Sequence, residues 1–264
     1  RYVAGVMNIL SAFSMVKTGR LIYFSCEEVF GNAYIDDIGE EEPVTPKGFK
    51  ALALAQGEEV CANYHRTQSM DTVIVRFDHM YWVPEKGGHE DAPCFHMILE
   101  GLKTGRISAN ERRVFSMIYL NDAVEMAYKV FVKEEPEHSL YHISSMEAVG
   151  ELQLAEKMKE VMGSGITVAD TAVGVGSRLI LNADRYRNEF PHEIFHHYES
   201  GTAQVAQFMM RHSGSFITEE DSGAGAAVKV WKHIKEIAAA MVPFMESLVL
   251  FLPFFLLSRV AADS

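Results

Sequence analysis

The chain has 264 residues, of which 48% are aliphatic, aromatic or cysteine, enough to build a substantial core. Its formal net charge of −12 argues against nucleic-acid binding, because neutralising phosphates requires a basic surface. The three cysteines are widely spaced and form no C-x-x-C pair, so neither a disulfide framework nor a cysteine-rich zinc site is indicated. These features favour a protein of the reducing cytoplasm.

Hydrophobic patterning predicts alternating helices and strands in the first third of the chain. Apolar side chains recur near helical spacing in residues 1–18, which predicts an amphipathic helix. Residues 21–26 begin with four apolar or aromatic residues and 72–77 are rich in β-branched residues, patterns typical of strands buried on both faces of a parallel sheet. The acidic, proline-containing stretch 31–48 is predicted to be a surface loop, and a helix is predicted over about 49–64.

The pattern continues into the second half of the chain. Residues 114–119 are predicted to be extended, 141–144 to form a short strand and 151–162 a helix. From residue 166 onward, glycine-punctuated strands are predicted, and then a helix after Pro191.

The segment LIYFSCEEVFG, residues 21–31, is the most distinctive motif of the chain when it is taken together with the loop and helix after it. A strand ending in Ser-Cys-x-x-Val-Phe-Gly, a Pro-containing loop and then a helix resemble the extended short-chain dehydrogenase/reductase family of nucleotide-sugar epimerases and dehydratases. The first helix, with Val3, Gly5, Asn8 and Leu10, is similar to that family's N-V-x-G-T-x-N-L-L helix.

This resemblance covers about residues 1–165 and implies an α/β fold. These residues would form the later part of a Rossmann-type doubly wound parallel sheet with a small substrate-side region. We therefore expect a fragment that lacks the first half of its nucleotide-binding domain. The resemblance also permits a homodimer through the helix at 49–64, whose alanine-rich face allows close packing.

The residues that the family uses for catalysis are substituted. The resemblance implies a Tyr and a Lys four residues apart on one helix face, but here no Tyr is followed by Lys at that spacing. Alignment on Glu58 puts Lys50 at the Tyr position and Leu54 at the Lys position, whereas alignment on Phe49 gives Phe and Ala. Cys26 takes the place of the family's strand-end Ser or Thr, and a thiol is a weaker donor than a hydroxyl.

Other residues receive roles through the same resemblance. NAD or NADP is the implied cofactor, with Ser25 at its binding site, although the G-x-G-x-x-G fingerprint is absent from the chain. A nucleotide or nucleotide sugar is the implied substrate, with its phosphates near Arg76, Arg112 and Arg113. For Arg76, an ion pair with an acid at the strand end is the alternative.

The sequence contains a formal H-E-x-x-H motif at His192, Glu193 and His196, which in a helix can hold zinc and a general base. The alternative is a polar surface turn, because Pro191 places the motif in a first helical turn. No other metal site is predicted.

The tail differs in composition from the rest of the chain. Residues 227–264 contain three lysines followed by the stretch 237–258, whose one charge is Glu246; this stretch approaches the ~20 apolar residues of a membrane span. A buried core helix or an interfacial helix is the alternative. The tail also resembles the segment before the membrane helices of Pel-type exopolysaccharide fusion proteins.

We therefore divide the chain into a partial epimerase/dehydratase-like domain, a connector and a membrane-proximal segment, at residues 1–165, 166–226 and 227–264. The first functional hypothesis is a catalytically degenerate binding or regulatory module at the cytoplasmic membrane face in polysaccharide synthesis. The second is an active epimerase/dehydratase that uses Lys50 or Cys26 as an unconventional acid/base. The third is a zinc hydrolase at the H-E-x-x-H motif.

Overall fold

Two of the predicted strands pair side by side in a parallel sheet. In the computed structural model, which describes residues 2–16, 19–32, 34–86, 88, 92–171, 176–190 and 196–217, all described residues lie in one compact unit. Its strands are β1 (Leu21–Cys26), β2 (Tyr34–Ile38), β3 (Thr72–Phe77), β4 (His79–Tyr81), β5 (Arg106–Ala109), β6 (Arg113–Tyr119), β7 (Leu140–Ile143), β8 (Ala148–Gly150), β9 (Thr167–Asp170) and β10 (Ser177–Leu181). Its helices are α1 (Tyr2–Val16), α2 (Phe49–Gln68), α3 (Pro93–Thr104), α4 (Leu120–Val132), α5 (Glu151–Met162), α6 (Asp184–Glu189), α7 (Tyr198–Arg211) and α8 (Ser213–Ile217).

The first sheet has the strand order β1-β3-β7, with both pairs parallel. Every residue of the central strand β3 is buried, as expected for a strand covered by helices on both faces. One face packs against α1 and α2 through side chains that include Leu10, Tyr23 and Cys61. The other face packs against α4 and α6 through Val75 and Tyr186, among others. The predicted Rossmann-type α/β layering is confirmed.

The second sheet has the order β2-β10-β6-β4, with β8 antiparallel to β6. The prediction of a surface loop over 31–48 is wrong at Tyr34–Ile38, which forms β2 parallel to β10. Only Ile38 of this strand is buried, so the local sequence lacks the apolar alternation that marks a strand. The strand forms because it pairs with β10, which lies far along the chain.

A third layer packs beside the second sheet. Helices α3, α5 and α7 surround a core that includes Phe95, Met158 and Met209, and β5 pairs with β9 in a separate two-stranded sheet. Gly201 of α7 permits close contact with Tyr81, since a Cβ at Gly201 would lie 2.4 Å from the Tyr81 Oη. Each fully buried large side chain in such a core contributes roughly 1.5–3 kcal/mol.

Most of the predicted connector 166–226 falls within this unit: β9, β10, α6, α7 and α8 all belong to it. The domain boundaries remain predictions. Among the helices of the described residues, none combines the length and the apolar character needed to cross a bilayer. The predicted membrane-proximal segment 227–264 lies outside the described residues.

Candidate functional site

Polar side chains meet where β1 and β3 end. The two strands are parallel with Cys26 opposite Phe77, so the segments after them emerge side by side. Glu27 begins a short 3-10 turn that ends at Gly31, which has a φ of +62°. Crevices at the carboxyl ends of parallel strands are the usual ligand sites of open α/β sheets. We therefore treat this edge as the candidate site.

Glu27 and His79 form a buried pair at this edge. Glu27 is only 5% exposed, and its Oε1 lies 2.9 Å from the His79 Nδ1. Its second oxygen, Oε2, is buried without a hydrogen-bond partner among the described residues. Burial pushes the pKa of His79 down, but the Glu27 carboxylate outweighs burial and holds that pKa above its ordinary value. The pair therefore supplies an imidazole that readily carries a proton.

Asp78, next to His79, is a second buried carboxyl group. It accepts hydrogen bonds from the Ser116 hydroxyl at 2.6 Å and from the Ser145 backbone N–H at 3.2 Å. Burial raises the pKa of Asp78 to about 7, even though hydrogen bonds from the Ser116 and Ser144 side chains favour the charged form. Asp78 thus joins β3, β6 and the loop after β7, and its proton occupancy changes near neutral pH.

Cys26 and Glu28 complete the strand end. Burial, reinforced by the charge of Glu27, raises the pKa of the Cys26 thiol to about 12, so near neutral pH it is a protonated thiol. Donor atoms of Cys26, Glu27 and Glu28 all lie within 4.8 Å of one another, a separation that suits metal ligation. A second such group consists of Glu137, His138 and Glu189.

The first turns of α2 contact this strand end, but their side chains are a lysine and apolar residues and not acids or thiols. Lys50 donates a 2.7 Å hydrogen bond to the Glu28 Oε1, and the Lys50 side chain is 63% exposed. Phe49 is 94% exposed, while Leu54 packs against the apolar cluster that contains Val29 and Ile38. In the described structure, Leu54 therefore serves packing at the position where the resemblance, aligned on Glu58, implies a lysine.

Arg76 lies in a buried ion pair. Its Nε and Nη2 donate to the two carboxylate oxygens of Glu58 at 3.0 and 2.8 Å, and its guanidinium lies over the Phe30 ring at 5.0 Å. Burial and the neighbouring Arg76 lower the pKa of His142 to about 3. The structure thus places Arg76 in an ion pair with an acid, the alternative role, and its contact with substrate phosphate remains a prediction.

The remaining predicted binding residues are spread apart. Ser25 is 4% exposed, and its hydroxyl lacks a hydrogen-bond partner among the described residues. Arg113 is 3.1 Å from Glu151, and Arg112 is exposed at the turn before β6. The predicted roles of Ser25, Arg112 and Arg113 remain predictions.

His196 of the H-E-x-x-H motif contacts the start of α4. Its backbone N–H donates to Asp122 at 3.0 Å, its Nδ1 is 3.1 Å from the same carboxylate, and its ring stacks on Tyr119 at 4.1 Å. His192 and Glu193 lie outside the described residues. The metal assignment of this motif therefore remains untested.

Sequence reasoning did not identify Glu27, Asp78 or His79 as site residues. A signal was present, because Glu27 directly follows one buried-type strand and the Asp-His pair directly follows the next. Polar residues after successive parallel strands meet at the same sheet edge. The 2.9 Å contact between Glu27 and His79, however, depends on the register of the two strands.

Comparison with known proteins identifies relatives of this chain. A model described as the NAD dependent epimerase/dehydratase family matches residues 1–144. Two proteins named dTDP-glucose 4,6-dehydratase, from Streptomyces niveus and an Actinoplanes strain, are 26% identical over 162 residues and 24% identical over 164. Each match covers 61% of this chain, and 47% and 50% of the respective relative. The chain thus spans about half the length of the curated relatives it matches.

Solved structures share the fold. Bacillus anthracis dTDP-glucose 4,6-dehydratase in complex with NAD has a TM-score of 0.71 at 18% identity, covering 81% of this chain and 69% of that chain. Bacillus cereus UDP-glucuronic acid 4-epimerase, with UDP-glucuronic acid and NAD, has a TM-score of 0.70 at 14% identity, covering 80% and 68%.

Proposed function

The chain belongs to the NAD dependent epimerase/dehydratase family, and from that premise we propose that it is a nucleotide-sugar-binding domain without the family's usual Tyr–Lys chemistry. The observation that carries this proposal is the start of α2, where Lys50 is paired with Glu28 and Leu54 is packed in an apolar cluster. Lys50 does not replace a phenol, and Leu54 carries no charge that could lower the pKa of one.

NAD or NADP is the cofactor that the resemblance implies. The Bacillus anthracis and Bacillus cereus structures contain NAD. In this chain the register set by Glu58 puts Leu54, which packs against apolar neighbours, where the resemblance implies the lysine, and the register set by Phe49 puts Ala53 there. The described residues therefore do not supply that lysine in either register, and we derive no chemical step through a dinucleotide. Binding of NAD or NADP remains a prediction.

The wider role is also part of this proposal. The domain would act as a binding or regulatory module in polysaccharide synthesis, held at the cytoplasmic face of a membrane by the segment 227–264. A homodimer through α2 is proposed as well. The sequence of the tail, which combines a basic flank with a nearly uncharged stretch, supports the membrane role.

Binding is the direct test of the proposed function. Calorimetric titration of the full chain with dTDP-glucose and with UDP-glucose, each with and without NAD, should show saturable binding without sugar turnover. The double variant Arg112→Ala/Arg113→Ala should weaken binding by about tenfold or more, since charged hydrogen bonds to phosphate contribute roughly 1.5–3 kcal/mol. Arg106→Ala, which removes another exposed arginine, is the matched control.

Two results would contradict this proposal. If neither nucleotide sugar binds, only the fold has been retained. If binding is unchanged in the double variant, the predicted phosphate contact at Arg112 and Arg113 is wrong.

A second candidate function, an active epimerase or dehydratase with an unconventional acid/base, is favoured by the Glu27–His79 pair. An imidazole held by a buried carboxylate, which raises its pKa, is suited to general acid/base catalysis. Turnover of either nucleotide sugar, followed by NMR of the sugar protons and abolished by His79→Gln, would support this candidate. Absence of turnover in protein that binds the sugar would exclude it for that sugar.

A further inference from the structure

The end of β1 has the donor set of a metal site. The Cys26 Sγ and carboxylate oxygens of Glu27 and Glu28, which together we call the Cys26–Glu28 cluster, lie within 4.8 Å of one another. Thiolate and carboxylate groups are both established ligands of Zn²⁺. We propose that the Cys26–Glu28 cluster binds a divalent transition-metal ion of the Zn²⁺ or Co²⁺ type. This inference goes beyond the proposed function and does not depend on it.

The state of Glu27 is an independent observation in favour of this site. The residue is 5% exposed, and its Oε2 is buried without a hydrogen-bond partner among the described residues. A buried carboxylate oxygen with no partner is costly, because it has lost its hydration. Because a carboxylate oxygen of Glu27 is one of the three donors of the cluster, a cation bound there would offset the cost of burying this carboxylate.

Contacts around the cluster support the same conclusion. The His79 Nδ1 holds the Glu27 Oε1 at 2.9 Å, an outer contact of the kind that orients a ligating carboxylate. Lys50 lies on Glu28 at 2.7 Å and provides a positive charge at the exposed side of the cluster. Because the Lys50 side chain is 63% exposed, it can turn into solvent when a metal ion takes over that charge.

The other three-donor group in the described structure lacks these features. In that group, Glu137 and His138 are exposed. Glu189 is already engaged by the Tyr141 hydroxyl, the Glu137 backbone N–H and Lys133. Its carboxylate oxygens therefore have partners, unlike the Glu27 Oε2. This group provides an internal control for the proposed site.

The chemistry of binding is simple. The metal–sulfur bond forms as the Cys26 thiol releases its proton to solvent, while the two carboxylates bind in their charged form. Zinc sites are usually four-coordinate, so three protein ligands leave one position for a water molecule or a hydroxyl oxygen. The site would thus present an open metal position at the carboxyl edge of the sheet.

Cobalt titration tests this proposal directly. Full-length protein is stripped with chelator and titrated with Co²⁺ near neutral pH, with the absorbance spectrum recorded at each addition. We expect stoichiometric binding with a near-ultraviolet thiolate-to-cobalt charge-transfer band, and competition by Zn²⁺. Cys26→Ser should remove this band, and Glu27→Gln should weaken binding.

Two further variants probe the surroundings of the cluster. His79→Ala should lower affinity by about 10- to 100-fold, the usual cost of losing an outer-shell partner. Lys50→Met should raise affinity, because it removes a competing cation. Glu137→Gln, in the other three-donor group, should leave binding unchanged.

Several outcomes would overturn the proposal: no Co²⁺ binding, binding without the thiolate band, or binding that survives Cys26→Ser unchanged. The last two would indicate an adventitious ion only. If Cys26→Ser fails to fold, iodoacetamide labelling of the unmodified protein gives an independent readout. Zn²⁺ should slow alkylation of Cys26, and unchanged alkylation at saturating Zn²⁺ would refute the site. Cys61 and Cys94 are fully buried and should contribute little labelling in the native state.

Discussion

The carboxyl end of β1 and the first turns of α2 contact one another, yet they differ in chemistry. The strand end brings together a thiol and two carboxylates, one of which, Glu27, lies 2.9 Å from His79, and Glu27 and Asp78 are almost fully buried. The helix start offers an exposed Phe49 and a packed Leu54, with Lys50 as its polar contact to the strand end. The reactive groups thus lie at the end of β1, whereas the start of α2 contributes mainly packing.

This difference indicates that α2 has a structural role that does not depend on the Tyr–Lys pair. Further along the helix, Glu58 binds the buried Arg76 of β3, and Gly57 packs so tightly against Tyr23 that a Cβ there would lie 2.0 Å from the Tyr23 Oη. These contacts fix α2 on the sheet. Four predictions follow the expected loss of stability from the largest to the smallest. They test whether α2 has a structural role while the strand end carries the candidate site.

The Glu58–Arg76 pair should give the largest effect. Arg76→Ala leaves the Glu58 carboxylate buried and uncompensated, and we expect a loss of about 3–5 kcal/mol in the free energy of unfolding. Urea denaturation measures this loss. The matched control is Lys129→Ala, which breaks the more exposed pair with Glu125 and should cost less than about 1 kcal/mol. Equal costs would mean that Arg76 does not anchor α2.

The neighbouring His142 should make stability depend on pH. Its Nδ1 is 3.1 Å from the Asn182 carbonyl oxygen, and its pKa is lowered to about 3, so the fold favours the neutral ring. Because the pKa of His142 is lower in the folded than in the unfolded protein, the stability that neutral His142 provides is fully present above about pH 6.5. This stability is lost as the pH falls toward 3.

From about pH 6 to about pH 4, His142 should therefore reduce stability by about 2–3 kcal/mol. His142→Gln cannot take up this proton, so its unfolding free energy should fall less steeply over the same interval in urea titrations. If the unfolding free energies of the two proteins fell equally with pH, His142 would not be held neutral in the folded protein, and the prediction would be wrong.

Sequence patterns identified the scaffold better than the site. Strands β1 and β3 were predicted because each begins with four consecutive apolar or β-branched residues, a pattern that, together with the resemblance, also indicated the parallel sheet. Strand β2 was missed because one of its five residues is buried and its partner, β10, lies far along the chain. Glu58 was used as an alignment landmark, but its bidentate contact with Arg76 requires the packing of α2 on β3. Likewise, the Glu27–His79 contact depends on strand register.

Leu54 provides the third prediction. If this position now serves packing, Leu54→Ala should cost about 2 kcal/mol through lost contacts with the cluster of Val29, Ile38 and Leu181, the low end for a leucine truncation because Leu54 is only partly buried. Leu52→Ala, two residues away on the same helix and 43% exposed in the parent, should change stability by less than about 0.5 kcal/mol. Thermal and urea unfolding of the two variants measure these two costs. Indistinguishable costs would remove the packing role assigned to Leu54.

Lys50 should give the smallest effect on stability. Its pair with Glu28 is largely solvent-exposed, with side-chain exposures of 63% and 36%, so Lys50→Met should cost less than about 1 kcal/mol. High salt should reduce this difference further, because screening weakens exposed ion pairs. A larger, salt-independent loss would mean that the start of α2 and the strand end form one rigid structural unit. A small, salt-sensitive loss would mean that Lys50 is held only weakly. Glu28 would then be available to a ligand once Lys50 moves away, as expected if α2 supports the fold and the strand end is the site.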